Sequence, residues 1–119
     1  ADESVFSPED AAEIIRTRAA DLLNIKLMKT GGIWQALKIC SLAEMYGVEC
    51  MIGCMLESKL AVSAAAHLAA AKRVITRADL DGPSLCKTDP FTGGPLYENG
   101  VIRMTDAPGI GITRVPAFV

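Results

Sequence analysis

The sequence holds one histidine, His67. A Cys/His zinc cluster or a Ser-His-Asp triad therefore has little to be built from. Aromatic residues are scarce, at 5%. An excess of positive charge is missing too: 12 Lys and Arg stand against 14 Asp and Glu, for a net charge of −2. No basic stripe is present, so nucleic acid is not an expected partner. The longest apolar run, Leu60 to Ala71, is broken by Ser63 and His67 and closed by Lys72-Arg73. It is too short to span a bilayer, and no membrane partner is expected. The N-terminus, Ala1-Asp2-Glu3-Ser4, has no basic stretch followed by an apolar one. No secretory signal is visible, and a cytoplasmic location is expected.

What is present suffices for a core. Half of the 119 residues are hydrophobic and 22% are charged, which fits a single folded domain or part of one. The four cysteines, Cys40, Cys50, Cys54 and Cys86, read as reduced thiols rather than disulfides in so apolar a chain. Cys50 and Cys54 resemble a chelating pair, but four strand residues span about 13 Å, too far to share a metal. His67 reads as a packed helix residue rather than a catalyst.

Ser7-Pro8-Glu9-Asp10 is a helix start, with a serine cap and proline in the first turn. That helix is expected to run to about Ala20. Leu22 to Met28 reads as a strand. Gly31-Gly32 opens a second helix, which Gly47 stops. Val48 to Gly53 reads as a strand, Lys59 to about Val74 as an alanine-rich helix, and Arg77 to Asp81 as a short strand. The steps from Asp2 to Lys26, Lys26 to Met51 and Met51 to Asp79 are 24, 25 and 28 residues. Alternation of this length predicts an α/β fold: the C-terminal segment, about half, of a (β/α)8 TIM-like barrel over residues 1–85. Residues 86–119 differ in character. Asn99-Gly100 between apolar flanks predicts a hairpin. The G-x-G of Gly109 to Gly111 is followed by no helix and does not read as a nucleotide loop.

One stretch stands out, Asn24-Ile25-Lys26-Leu27-Met28-Lys29-Thr30-Gly31-Gly32. Strand parity groups Leu23, Ile25 and Leu27 on one face and Asn24, Lys26 and Met28 on the other. The aliphatic face belongs against helices, which turns Lys26 toward the barrel interior. Asp79 and Asp81 share a parity, with Leu80 opposite. Asp2, Lys26, Asp79 and Asp81 thus all fall at carboxyl ends of strands, where barrels of this kind carry their sites. Lys29 has the opposite parity and reads as a solvated loop lysine. Gly31-Gly32 either cradles an anion at a helix start or only makes the tight turn. Lys26 either pairs with an aspartate to hold the fold or is a reactive amine; a buried ammonium needs one justification or the other.

The segments ADES (Ala1–Ser4), NIKLMKTGG (Asn24–Gly32), GVECMIGCMLESKL (Gly47–Leu60) and DLD (Asp79–Asp81) resemble the C-terminal part of the enolase superfamily. Within it they look like the muconate-lactonizing-enzyme subgroup, and most like dipeptide epimerases of the L-Ala-D/L-Glu type. The resemblance covers essentially the whole chain. It implies a Mg2+-dependent isomerase that removes and returns the α-proton of an Ala-Glu-like dipeptide through an enediolate. Lys26 matches the acid/base lysine and Asp2 a metal carboxylate. Asp79 and Asp81 match the pair that binds the dipeptide's ammonium group. Met55, Leu56 and Glu57 match the loop after the seventh strand, with substrate contact implied for Met55 and Leu56 and, for Glu57, either contact or support of the residues that make it. Glu3 and Asn24 would support the residues that touch metal and substrate. To act as a base, Lys26 must lose its proton near neutral pH, which burial and a neighbouring cation favour.

The family also carries a Lys-x-Lys motif, two further metal carboxylates and an N-terminal capping domain, and this sequence shows no Lys-x-Lys. The chain is therefore expected to be the C-terminal portion of a longer enzyme, spanning the end of barrel strand 5 through strand 8. Its tail from Cys86 would return to the capping domain. Alone it is expected to be inactive, and to self-associate or pair with its N-terminal remainder. Two rival readings keep the same residues: a muconate cycloisomerase or o-succinylbenzoate-synthase-like enzyme, and a non-catalytic α/β interaction module.

Overall fold

The computed structural model describes residues 1–116. Helix α1, Pro8–Thr17, begins as the sequence dictates: Ser7 Oγ accepts from the Asp10 amide at 3.1 Å. It ends earlier than expected. Arg18 adopts φ 53°, a left-handed cap, and the Ala19 amide reaches back to Ile14 O at 3.0 Å. That turn is usually a glycine position, and an arginine there leaves no sequence signal.

Strand β1, Leu22–Lys26, is followed at once by a one-turn helix, α2, Leu27–Thr30. The strand expected to reach Met28 therefore stops at Lys26. Thr30 Oγ1 donates to Lys26 O at 3.2 Å and Gly31, at φ 83°, closes the turn. Met28 accordingly leaves the face of Asn24 and Lys26 and lies 64% exposed. Gly32, at φ 99°, then starts α3, Ile33–Tyr46, which ends on Gly47 as expected. Strand β2 is Glu49–Gly53 and α4 is Lys59–Ala71. Strand β3 is Ile75–Asp79, two residues earlier than the sequence suggested. Leu80 leaves the strand to enter the core, and Asp81 precedes a 3-10 turn, Gly82–Leu85.

The three strands form one parallel sheet in the order β1-β2-β3. Leu23 and Ile25 of β1 and Cys50 and Ile52 of β2 are fully buried, in one cluster with Ala36, Ile39, Cys40 and Ala43 of α3 and Val62 of α4. Ala11 and Ile15 of α1 join the same cluster. Ala1 extends the sheet beyond β1, since the Asn24 amide donates to Ala1 O at 2.8 Å. This is an α/β fold with a parallel sheet, as expected. Beyond it, β5 (Leu96–Glu98) and β6 (Val101–Arg103) make the expected hairpin through Asn99 and Gly100, at φ 50° and 77°. Two short strands, β4 (Thr92–Gly93) and β7 (Ile112–Arg114), pair antiparallel. All four cysteines are free thiols, as the composition suggested.

Candidate active site

Parallel register sets the geometry of the rim. Lys26, the last residue of β1, pairs with Gly53, the last of β2, and Gly53 pairs with Asp79, the last of β3. Residues in one lateral row of a parallel sheet point to one face, so Lys26 and Asp79 share a face at the same end. Two strand spacings put their backbones about 10 Å apart. Gly53 between them contributes no side chain. The space above it is taken by Asn24, two rows back on the same face, whose Oδ1 would stand 2.8 Å from a Cβ at that position. Asn24 is 9% exposed, and its Oδ1 is buried without a hydrogen-bond partner.

Lys26 is held by carboxylates. Its Nζ lies 3.1 Å from Asp2 Oδ2 and 2.9 Å from Glu3 Oε1. The hydrogen bond to Glu3 and, after a smaller opposing effect of burial, those of Asp2 raise the Lys26 pKa above its ordinary value. In this arrangement two anions stabilise the ammonium, and the neutral form expected of a base would need a cation beside it. For Asp2, burial pushes upward, but hydrogen bonds and charge from Lys29 and Lys26 prevail and lower its pKa.

Lys29 departs furthest from its expected place. It is not a solvated loop lysine: its side chain is 3% exposed. Because β1 ends before it, helix α2 turns it back over the strand, where Nζ meets Asp2 Oδ1 at 3.0 Å, Asn24 O at 3.3 Å and the Asp2 main-chain oxygen. Parity counting missed it because its premise, a continuous strand through Met28, is not what the chain does.

Asp79 and Asp81 line an open hollow of about 350 Å³ with Ser84, Tyr97 and Asn99. The Tyr97 hydroxyl donates to Leu80 O at 2.9 Å, tying the hairpin to the end of β3. Sequence reasoning gave Tyr97 and Asn99 no place near the aspartates. In the loop after β2, Leu56 is 84% exposed and Met55 42% exposed, whereas Glu57 is 4% exposed. Glu57 Oε1 accepts from the Met55 amide at 2.9 Å, so this carboxylate braces its own loop.

Among the described residues no three Asp, Glu, His or Cys side chains converge as a metal cluster. Asp2 and Glu3 offer hard oxygen donors of the kind Mg2+ takes, but Mg2+ needs a near-octahedral set. The chain therefore fits as a contributor to such a site rather than the whole of it.

The chain is 66% identical over 115 residues to an L-Ala-D/L-Glu epimerase of Clostridium acetobutylicum, covering 97% of this chain and 32% of that protein. It superposes on the substrate-liganded L-Ala-D/L-Glu epimerase of Bacillus subtilis with a TM-score of 0.91 at 57% identity, over 94% of this chain and 31% of that one. A dipeptide epimerase of Enterococcus faecalis, complexed with Mg and L-Leu-L-Tyr, gives 0.90 at 49% identity, over 95% and 32%. The chain thus spans about a third of the length of the relatives it matches. The model of the enolase C-terminal domain-like family matches residues 1–117, and the chain belongs to that family.

Proposed function

We propose that this chain supplies the C-terminal part of the barrel of a Mg2+-dependent dipeptide epimerase. Residues 1–85 would carry the end of barrel strand 5 and strands 6 to 8, and residues 86–119 the tail that returns toward a capping domain. The observation that carries this reading is the rim row: Lys26 and Asp79 share one face and one end of the sheet, with the Asp2 carboxylate 3.1 Å from the Lys26 amine. A dipeptide lying over Asn24 and Gly53 would set its α-carbon near Lys26 and its ammonium group near Asp79 and Asp81.

Each side chain then has a task. Lys26, an ammonium in the present arrangement, is the form that returns a proton to the α-carbon. For abstraction it must shed its proton, which would require the negative charge of Asp2 beside it to be neutralised, as a Mg2+ held by that carboxylate would do. Asp79 and Asp81 neutralise the substrate ammonium group and orient the carbon, a task of position rather than proton transfer. Met55 and Leu56 face solvent over the loop and contact the substrate side chain, while Glu57 and Asn24 hold loop and rim in place. Asp2 would be one ligand of the Mg2+ site, with Glu3 beside it, and bound Mg2+ would supply positive charge for the substrate carboxylate. Epimerisation also needs a base on the opposite face, the Lys-x-Lys strand that the resemblance assigns to preceding sequence. The open edge of β3 fits pairing with the rest of a barrel or with another copy. Four free thiols fit a reducing, cytoplasmic location.

The test is α-proton exchange on L-Ala-L-Glu in D2O. The complete protein carrying this segment should incorporate deuterium and the 119-residue chain alone should not. Asp79→Asn with Asp81→Asn should remove most of that activity. A complete protein that leaves the α-proton untouched but cycloisomerises a muconate, with or without the two aspartates, would refute the reading.

A further inference from the structure

We propose that Lys29 is a positioning residue that divides the Asp2 carboxylate, fixing Oδ1 so that Oδ2 alone turns toward Lys26 and the site. This rests on the epimerase reading above. An ammonium on a side chain 3% exposed persists only where its donors are met. Lysine has three N–H donors, and three acceptors surround this one: Asp2 Oδ1, the Asp2 main-chain oxygen and Asn24 O. Two of these belong to the segment before α1 and one to β1. One ammonium therefore ties Asp2, by main chain and side chain together, to the strand that carries Lys26.

The division of labour is visible atom by atom. Oδ1 is 3.0 Å from Lys29 and Oδ2 is 3.1 Å from Lys26. A carboxylate gripped at one oxygen loses its freedom to rotate, and its other oxygen acquires a fixed direction. Lys29 cannot share the work of Lys26 at the substrate, because it is enclosed by Asp2, Asn24 and the Phe6 ring, whose centroid lies 5.7 Å from Nζ. The short helix α2 makes the geometry possible: a strand continued to Met28 would have carried Lys29 away from the rim.

The experiment compares Lys29→Gln, Lys29→Met and Lys29→Arg in the complete protein. Each is followed by dipeptide exchange kinetics, by the Mg2+ concentration giving half-maximal rate, and by backbone amide exchange. Gln and Met should lower kcat about tenfold or more with KM within about threefold, and raise the half-maximal Mg2+ concentration. Arg, which keeps charge and donors, should recover part of kcat. The amide of Asn24, bonded to Ala1 O, should exchange faster in Gln and Met, while that of Ile52 should not change. If Met fails to fold, Gln and Arg still decide. Gln with parental kcat, Mg2+ requirement and Asn24 protection would overturn the proposal. Loss of protection at Ile52 as well would reduce Lys29 to a packing residue and would also overturn it. If the complete protein itself leaves the α-proton of L-Ala-L-Glu unexchanged, it is the epimerase reading that has failed.

Discussion

Asn24 lies across the α-carbon of Gly53, its Oδ1 and Nδ2 at 2.8 and 3.1 Å from where a Cβ would stand. The two residues belong to neighbouring strands and lie two rows apart, on one face of the sheet, so the missing side chain of one makes room for the other. Gly53→Ala should therefore push Asn24 aside in a buried space. Overpacking of this kind costs about 1–3 kcal/mol. For a chain of this size that lowers the melting temperature by several degrees, on the order of 4 °C per kcal/mol. Thermal unfolding followed by circular dichroism checks it; an unchanged melt would mean that Asn24 relocates freely and is no fixed part of the rim.

The Lys26 ion pairs are open to solvent on the acid side: the Asp2 and Glu3 side chains are 47% and 61% exposed. Such pairs contribute about 0–1 kcal/mol. Lys26→Met should then leave the melt of the complete protein nearly unchanged while cutting α-proton exchange by about 10²–10⁴-fold. The interaction-module reading expects the substitution to be tolerated or even stabilising as well, but with no exchange to lose. Parental exchange rates in the variant would remove Lys26 from the chemistry.

Much of this rim was legible in the sequence, and the reasons are local. Helix starts and stops at Ser7-Pro8 and Gly47, and the hairpin at Asn99-Gly100, follow from caps and left-handed turns that few other residues permit. Lys26 and Asp79 were placed on one rim because alternation on a strand is strict. Lys29 was misplaced because a one-turn helix of Leu27–Thr30 has no signature of its own, and two apolar residues after Lys26 look like more strand. Arg18 as a left-handed cap was equally unsignalled. The pairing of Glu57 with its own Met55 amide is a loop conformation, which residue types alone do not encode.

Alkaline pH should destabilise the fold through several groups at once. Burial pushes the Cys40 thiol up to about 11 and the Cys50 thiol to about 12, and Tyr97 also rises to about 12. Lys26 is raised as well, chiefly by Glu3. A group whose folded pKa exceeds its unfolded value contributes stability below the unfolded value and loses it as pH rises toward the folded one. All four therefore act in one direction, with the thiols first, from about pH 9. Asp2, lowered in the fold, works at the other end: its contribution is present above its unfolded value and is lost as pH falls through the folded one. Melting temperatures across pH 4 to 11 should form a plateau near neutrality that declines above about pH 9. Cys50→Ala should soften the alkaline decline. A melting temperature flat to pH 11 would contradict the burial of these thiols.

The thiols also differ in reach, which gives a chemical test of the same packing. Cys86 is exposed, with Sγ 3.5 Å from Gly82 O, whereas Cys54 is half-buried and Cys40 and Cys50 are enclosed. Attack on a disulfide reagent requires the thiolate. At pH 8 a thiol with pKa about 11 is ionised only in roughly one molecule per thousand, and Cys40 is in addition shut from solvent. Titration with an aromatic disulfide should show one fast equivalent, lost in Cys86→Ser, with the other thiols slow until denaturant is added. The Cys54 thiol, raised by burial, should be the first of the slow ones. Two fast equivalents would mean that the loop from Cys54 to Ser58 opens away from Gly82, and with it the brace that Glu57 provides on the rim.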